Sequence, residues 1–181
     1  MLLSALEFIR LIIVTFAIGY IFSDYVSTHP QIHKRFDWSK IKTAITIAAP
    51  AVILHELSHK FAAMFFGLKT EFFASYFGLA LGIILKSVNA PFLVFMPGYV
   101  SISQSTAIQS AIIAFIGPLA NLLLWLIPSM ILKYKTLGEK TSIILYATKK
   151  INMMLFIFNM IPIPPFDGSK VLFGLLSYFG I

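Results

Sequence analysis

The run Thr43–Phe66 is almost wholly apolar, yet it carries ionisable side chains, among them His55, Glu56 and His59. A run of this length is long enough to cross the roughly 30 Å hydrocarbon core of a bilayer as a helix. Inside a membrane only helices and closed barrels satisfy their own backbone polar groups, so the run leaves the chain few folds to choose from. Ionisable groups at that depth are costly and mark functional positions by default. On a helix His55 and His59, four residues apart, share one face with one imidazole a turn above the other. That spacing lets both rings reach a single Zn²⁺ and leaves Glu56 beside it, able to take a proton from a bound water.

The rest of the composition agrees with a membrane address. Of 181 residues 59% are hydrophobic and 12% charged, against about 45–50% apolar in soluble domains, and the mean hydropathy is +0.89. The expected fold is an all-α polytopic membrane protein of about five to six transmembrane helices, with a short membrane-embedded strand or re-entrant segment. Residues 1–181 form a single membrane-embedded domain in this reading. The formal charge of +7 is scattered over loops and helix ends. That pattern suits anchoring at lipid headgroups and gives no basic, aromatic-rich stretch for nucleic acid. With no cysteine in the chain, any metal must be held by His, Asp or Glu.

Taken in order, residues 2–22 form a first span, with Glu7 and Arg10 three apart on one helix face. Residues 23–42 are polar and read as an extramembrane connection. His29 and His33 lie there, but Pro30 and the lack of a companion glutamate make them solvated loop histidines rather than a second ligand pair. The signature helix follows at about 43–66, with Gly67 as its stop. Residues 70–100, interrupted by Gly78, Gly82 and Pro91, suit a re-entrant hairpin, an embedded strand or a short tilted helix, and Met96-Pro97-Gly98-Tyr99 reads as a turn. A third long run, about 107–132, contains Gly117-Pro118-Leu119-Ala120-Asn121. Pro118 removes a backbone donor there, and Gly117 and Ala120 permit close helix approach.

Lys149 and Lys150 fall near the middle of the next apolar stretch. The expectation is that 141–148 lies at the interface and that a helix from Ile151 descends only about 15 Å, at about 1.5 Å per residue. It ends at Asn159-Met160-Ile161-Pro162-Ile163-Pro164-Pro165-Phe166-Asp167-Gly168. Three prolines in four residues cannot continue a helix. A helix broken at membrane depth to deliver one carboxylate is a way of building a site.

Zinc in a hydrolase takes three protein ligands and keeps one position for water. The other carboxylates, Glu7, Asp24, Asp37, Glu71 and Glu139, fall at helix ends, in loops or in the 70–100 segment. Asp167 is therefore assigned as the third ligand with His55 and His59, and Glu56 as the general base. The bland alternative is a hydrogen-bonded polar cluster between helices. It is the weaker reading because each part fits the same mechanism.

These elements together resemble the site-2 protease family of intramembrane zinc metalloproteases. The resemblance rests on His55-Glu56-x-x-His59, Gly117-Pro118-x-x-Asn121 and Asn159-x-x-Pro162-x-Pro164-Pro165-x-Asp167-Gly168, in that order. It implies one zinc ion and hydrolysis of peptide bonds in or near the transmembrane helix of a membrane-protein substrate. It further implies a multi-pass protein, in the cell membrane, with its active site nearer the cytoplasmic face. It suggests that Asn159, and more weakly Asn121, positions substrate, and that the strand after the signature helix pairs with unwound substrate. The chain carries no recognisable PDZ or nucleotide-sensing domain, so gating falls to the membrane core or to a regulatory partner. The lysines and arginines of 23–42 and 133–140 outnumber those of the Lys69 and Lys86 side. Taken alone, that bias puts the active site nearer the outside. The competing function is a membrane zinc-binding or transport protein without protease activity. It calls for ionisable residues along a path across the bilayer, and the sequence offers one cluster.

Overall fold

A computed structural model describes residues 2–24, 37–90 and 96–181. His29 and His33 lie outside these described residues. The elements run α1 (Ala5–Phe22), α2 (Trp38–Phe65), β1 (Thr70–Ala74), α3 (Tyr76–Ser87), β2 (Gly98–Ile102), α4 (Ala107–Tyr134), α5 (Glu139–Asn159) and α6 (Asp167–Phe179). Four of them, α1, α2, α4 and α5, are long and apolar enough to cross a membrane. The protein is thus mostly helical, with a small sheet, as the apolar runs require.

Local chemistry sets the helix ends. Ser4 and Glu7 form a reciprocal capping box at the start of α1, and Thr106 and Gln109 form another at α4. Asp37 accepts from the Ser39 N–H at 2.9 Å and opens α2 five residues earlier than the apolar run suggests. At its other end Gly67, with φ +74°, takes the left-handed position that stops the helix.

The contacts divide the chain into two compact units, Met1–Ile53 with Phe72–Tyr99, and Leu54–Glu71 with Val100–Ile181. In the first, α1 packs on α3, and Gly19 lets α1 meet the α2 residues Ile41 and Ile45 without a side chain between. One of its buried polar links centres on Phe72. The Glu7 Oε1 accepts from the Phe72 N–H at 2.8 Å, while Arg10 Nη1 donates to the Phe72 carbonyl at 2.8 Å and lies over the Phe73 ring. Both members of the sequence pair therefore serve β1. In the second unit α4 packs on α5 and α6. Gly174 of α6 sits against the Ala107 carbonyl and Ala111, a close approach that any β-carbon would obstruct.

Two expectations are corrected. Segment 70–100 combines strand, short helix and strand among its described residues, in keeping with two of the forms expected of it, but Gly98 and Tyr99 begin β2 rather than making a turn. β1 and β2 form a two-stranded sheet, antiparallel because Ser75 bonds Pro97 while Ser103 bonds Lys69. The second concerns α5, which is one unbroken helix from Glu139 to Asn159 rather than an interfacial stretch followed by a short descent. No Gly or Pro interrupts residues 139–159, and the Lys149 ammonium reaches over the Tyr146 ring at 5.9 Å. A long aliphatic stem lets lysine carry its charge away from an apolar helix without breaking it.

Candidate metal centre

Two elements bring three atoms that could hold a metal to one point. His55 and His59 come from one face of α2, and Asp167 is the first residue of α6. The His55 and His59 Nε2 atoms are 3.0 Å apart, and Asp167 Oδ2 lies 3.1 Å from the first and 3.2 Å from the second. All three side chains are largely enclosed, His55 and His59 buried and Asp167 13% exposed. Glu56, the neighbouring residue on α2, is also buried.

The outer nitrogens explain the inner ones. His59 Nδ1–H donates to the Ile113 carbonyl at 2.7 Å, and His55 Nδ1–H donates to Asn121 Oδ1 at 2.7 Å. Each neutral imidazole then carries its proton outside and presents a bare Nε2 lone pair inside. Two lone pairs and a carboxylate oxygen, all acceptors, meet with no proton between them. Such a set is relieved by a cation. Tetrahedral ligands at zinc distances stand about 3.3 Å apart, close to the separations found. Two imidazoles and one carboxylate also suit zinc chemically, with a fourth position left for water.

α4 is the template for this geometry. Ile113, Gly117 and Asn121 are four residues apart and form one stripe facing the two histidines. Ile113 holds the His59 proton and Asn121 the His55 proton, while Gly117 leaves room for the His59 ring. A β-carbon at Gly117 would stand 2.3 Å from His59 Nε2. Pro118 next to it supplies no N–H, which thins the backbone bonding of this turn where the Ile113 carbonyl is used by a side chain. The Gly-Pro-x-x-Asn element is thus read by the site residue by residue.

Asp167 is held by the folding back of the proline segment. Gly168 lies against the Met160 and Ile161 carbonyls at the end of α5, so close that a β-carbon would fall 2.4 Å from the Met160 oxygen. Ser169 closes the turn with an Oγ–H bond to the Phe166 carbonyl at 2.7 Å. The exposed Lys170 ammonium stands 3.8 Å from Asp167 Oδ1.

Of the residues singled out from sequence, His55, His59, Asp167 and Asn121 come together. Asn121 is fully buried, with its amide oxygen on His55. Asn159 is half-buried at the last position of α5, and among the described residues its amide has no hydrogen-bond partner. Asn152 was not anticipated. It is fully buried and its Oδ1 accepts from Asn121 Nδ2 at 2.9 Å. One asparagine in an apolar helix is the signal that could have flagged it.

Comparison with known proteins gives the family of the chain. The model of peptidase family M50 matches residues 43–139 and 128–180. The chain is 36% identical over 172 residues to MJ0611 of Methanocaldococcus jannaschii, provisionally named a zinc metalloprotease, covering 93% of this chain and 84% of that one. It is 25% identical over 127 residues to the zinc metalloprotease MJ0392 of the same organism, covering 70% of this chain and 32% of the relative. No solved structure matches. The chain belongs to peptidase family M50, the site-2 protease family. It is an intramembrane zinc metalloprotease.

Proposed function

We propose that this protease cuts peptide bonds in or near the transmembrane segments of membrane proteins, with His55, His59 and Asp167 holding zinc and Glu56 as general base. The observation that carries the assignment is the convergence of three acceptor atoms within 3.2 Å, with both Nδ1–H groups turned outward to Ile113 and Asn121. Held by His55, His59 and Asp167, zinc would supply Lewis acidity to a water and to the scissile carbonyl. Glu56 would act as general base, accepting a proton and handing it to the leaving amine. The buried setting keeps bulk water from competing for these groups.

Asn159, whose amide is uncommitted at the mouth of the proline turn, binds the substrate backbone. We assign Asn121 to orienting His55 instead. A helical peptide bond is shielded, so the substrate unwinds and adds as a strand. Glu7 and Arg10 already occupy the outward N–H and C=O of Phe72 in β1, which favours the far edge of β2 as the pairing edge. With the short apolar helix α3 added to the four long helices, the reading stays at about five to six spans. α2, β1 and β2 each run unbroken from one compact unit into the other, which supports one protease domain. The enzyme belongs in the cell membrane, its centre nearer the cytoplasmic face, gated by the membrane core or by a regulatory partner.

The test is cleavage of a panel of single-span proteins in reconstituted vesicles by the parent and by Glu56→Gln. The variant should keep its zinc and lose about 10²–10⁴-fold in rate. Equal cleavage by both, or a parent without zinc, removes the assignment.

A further inference from the structure

Asn152 lies on α5, outside the three motifs, and is fully buried in a helix that otherwise buries almost nothing. Its Nδ2 donates to the Thr148 carbonyl at 2.8 Å, and its Oδ1 accepts from Asn121 Nδ2 at 2.9 Å. Asn121 Oδ1 in turn accepts from His55 Nδ1–H at 2.7 Å. The direction of this chain is forced from its far end. A backbone carbonyl only accepts, so Asn152 must turn its NH₂ to Thr148 and its oxygen to Asn121. Asn121 must then present its NH₂ to Asn152 and its oxygen to His55, which leaves the His55 proton on Nδ1. His59 has the same tautomer set directly, by the Ile113 carbonyl.

We propose that Asn152 is a positioning residue of the metal centre, a group that holds the Asn121 amide with its oxygen toward His55. With Asn152 gone, Asn121 can offer His55 its NH₂ instead. His55 Nδ1 then accepts, the proton moves to Nε2, and the lone pair needed by the metal is lost. This inference rests on the reading of His55 as a ligand. It assigns the Asn121–Asn152 pair the task of the outer partner that metal-binding histidines use to fix their tautomer.

The experiment compares Asn152→Leu, which removes both bonds, with Asn152→Asp. The aspartate keeps an oxygen toward Asn121 and so keeps the direction of the chain. Zinc affinity is measured by chelator competition on the purified protein, alongside the visible spectrum of the cobalt-substituted form. Asn152→Leu should bind zinc about 10–100-fold more weakly and show an altered cobalt spectrum, while Asn152→Asp stays close to the parent. A folded Asn152→Leu with parental affinity and spectrum overturns the proposal. Equal weakening in both variants also overturns it, because a packing role makes no distinction between them. If Asn152→Leu does not fold, ring-nitrogen NMR of the zinc-stripped parent decides: a proton on His55 Nδ1 supports the relay, and one on Nε2 overturns it. Failure of the ligand reading has its own signature, namely that His55→Ala keeps the parental zinc affinity.

Discussion

At the scale of single residues, the centre is made by what surrounds the ligands as much as by the ligands. His59 fits only because residue 117 has no side chain. Gly117→Ala puts a β-carbon 2.3 Å from Nε2, and backbone of α4 cannot yield as a flexible side chain can. The ring must leave its position, at a cost of about 1–3 kcal/mol for an overpacked core. Zinc content should fall together with the thermal midpoint, both measured on the purified variant. Asp167→Ala acts differently, since it removes an acceptor without crowding its neighbours. Zinc per chain should drop well below one by metal analysis while the helical circular dichroism signal persists. A full complement of zinc in that variant would take Asp167 out of the ligand set.

Among elements, the most informative contact is between α1 and β1. Glu7 is 3% exposed and bridges two backbone donors, the Ser4 N–H at its own helix cap and the Phe72 N–H in the strand. A charged acceptor on a buried amide contributes about 1.5–3 kcal/mol. Glu7→Leu should lower stability by that amount and speed hydrogen exchange at the Phe72 amide. An unchanged exchange rate would mean the strand holds without α1. The composition of residues 2–22 made α1 legible as a span, and the i, i+3 spacing put Glu7 and Arg10 on one face. Nothing in that spacing pointed to Phe72, 65 residues away from Glu7. The charge pair looked local because periodicity reports only on the helix that carries it. α5 departs from the short descending helix expected of it for a related reason. Two adjacent lysines lower the hydropathy of any window containing them, but snorkelling stems let the helix run on.

For the whole molecule, the surface is what marks it as membrane-embedded. Phe8, Ile9 and Phe16 of α1 and Leu123, Leu126, Ile127 and Met130 of α4 are exposed and large. A soluble protein does not display such apolar stripes, whereas in lipid they cost nothing. Leu123, near the middle of α4, is a suitable probe. Leu123→Arg should disfavour membrane insertion of that helix by about 2.5–3.5 kcal/mol on the biological insertion scale, read from the fraction of protein recovered in the bilayer. Insertion equal to the parent would show that this face of α4 is not turned to lipid. The buried polar groups follow the opposite rule, since His55, Glu56, His59, Asn121 and Asn152 are all enclosed within the protein.

The sequence by itself determined the membrane class, most of the long apolar helices and the candidate chemistry. Apolar run length and the four-residue spacing of His55 and His59 are local properties, fixed by helix geometry before any tertiary contact forms. It also narrowed the candidate third ligand to Asp167, through the proline segment that precedes it. Tertiary structure alone decided how His55, His59 and Asp167 come together. The stripe Ile113, Gly117 and Asn121 meets α2 only when α4 packs against it, and Asn152 reaches Asn121 only when α5 packs against α4. Those contacts choose the histidine tautomers, because a proton goes where an acceptor is held, and acceptors from distant parts of a chain are placed by packing rather than by sequence spacing.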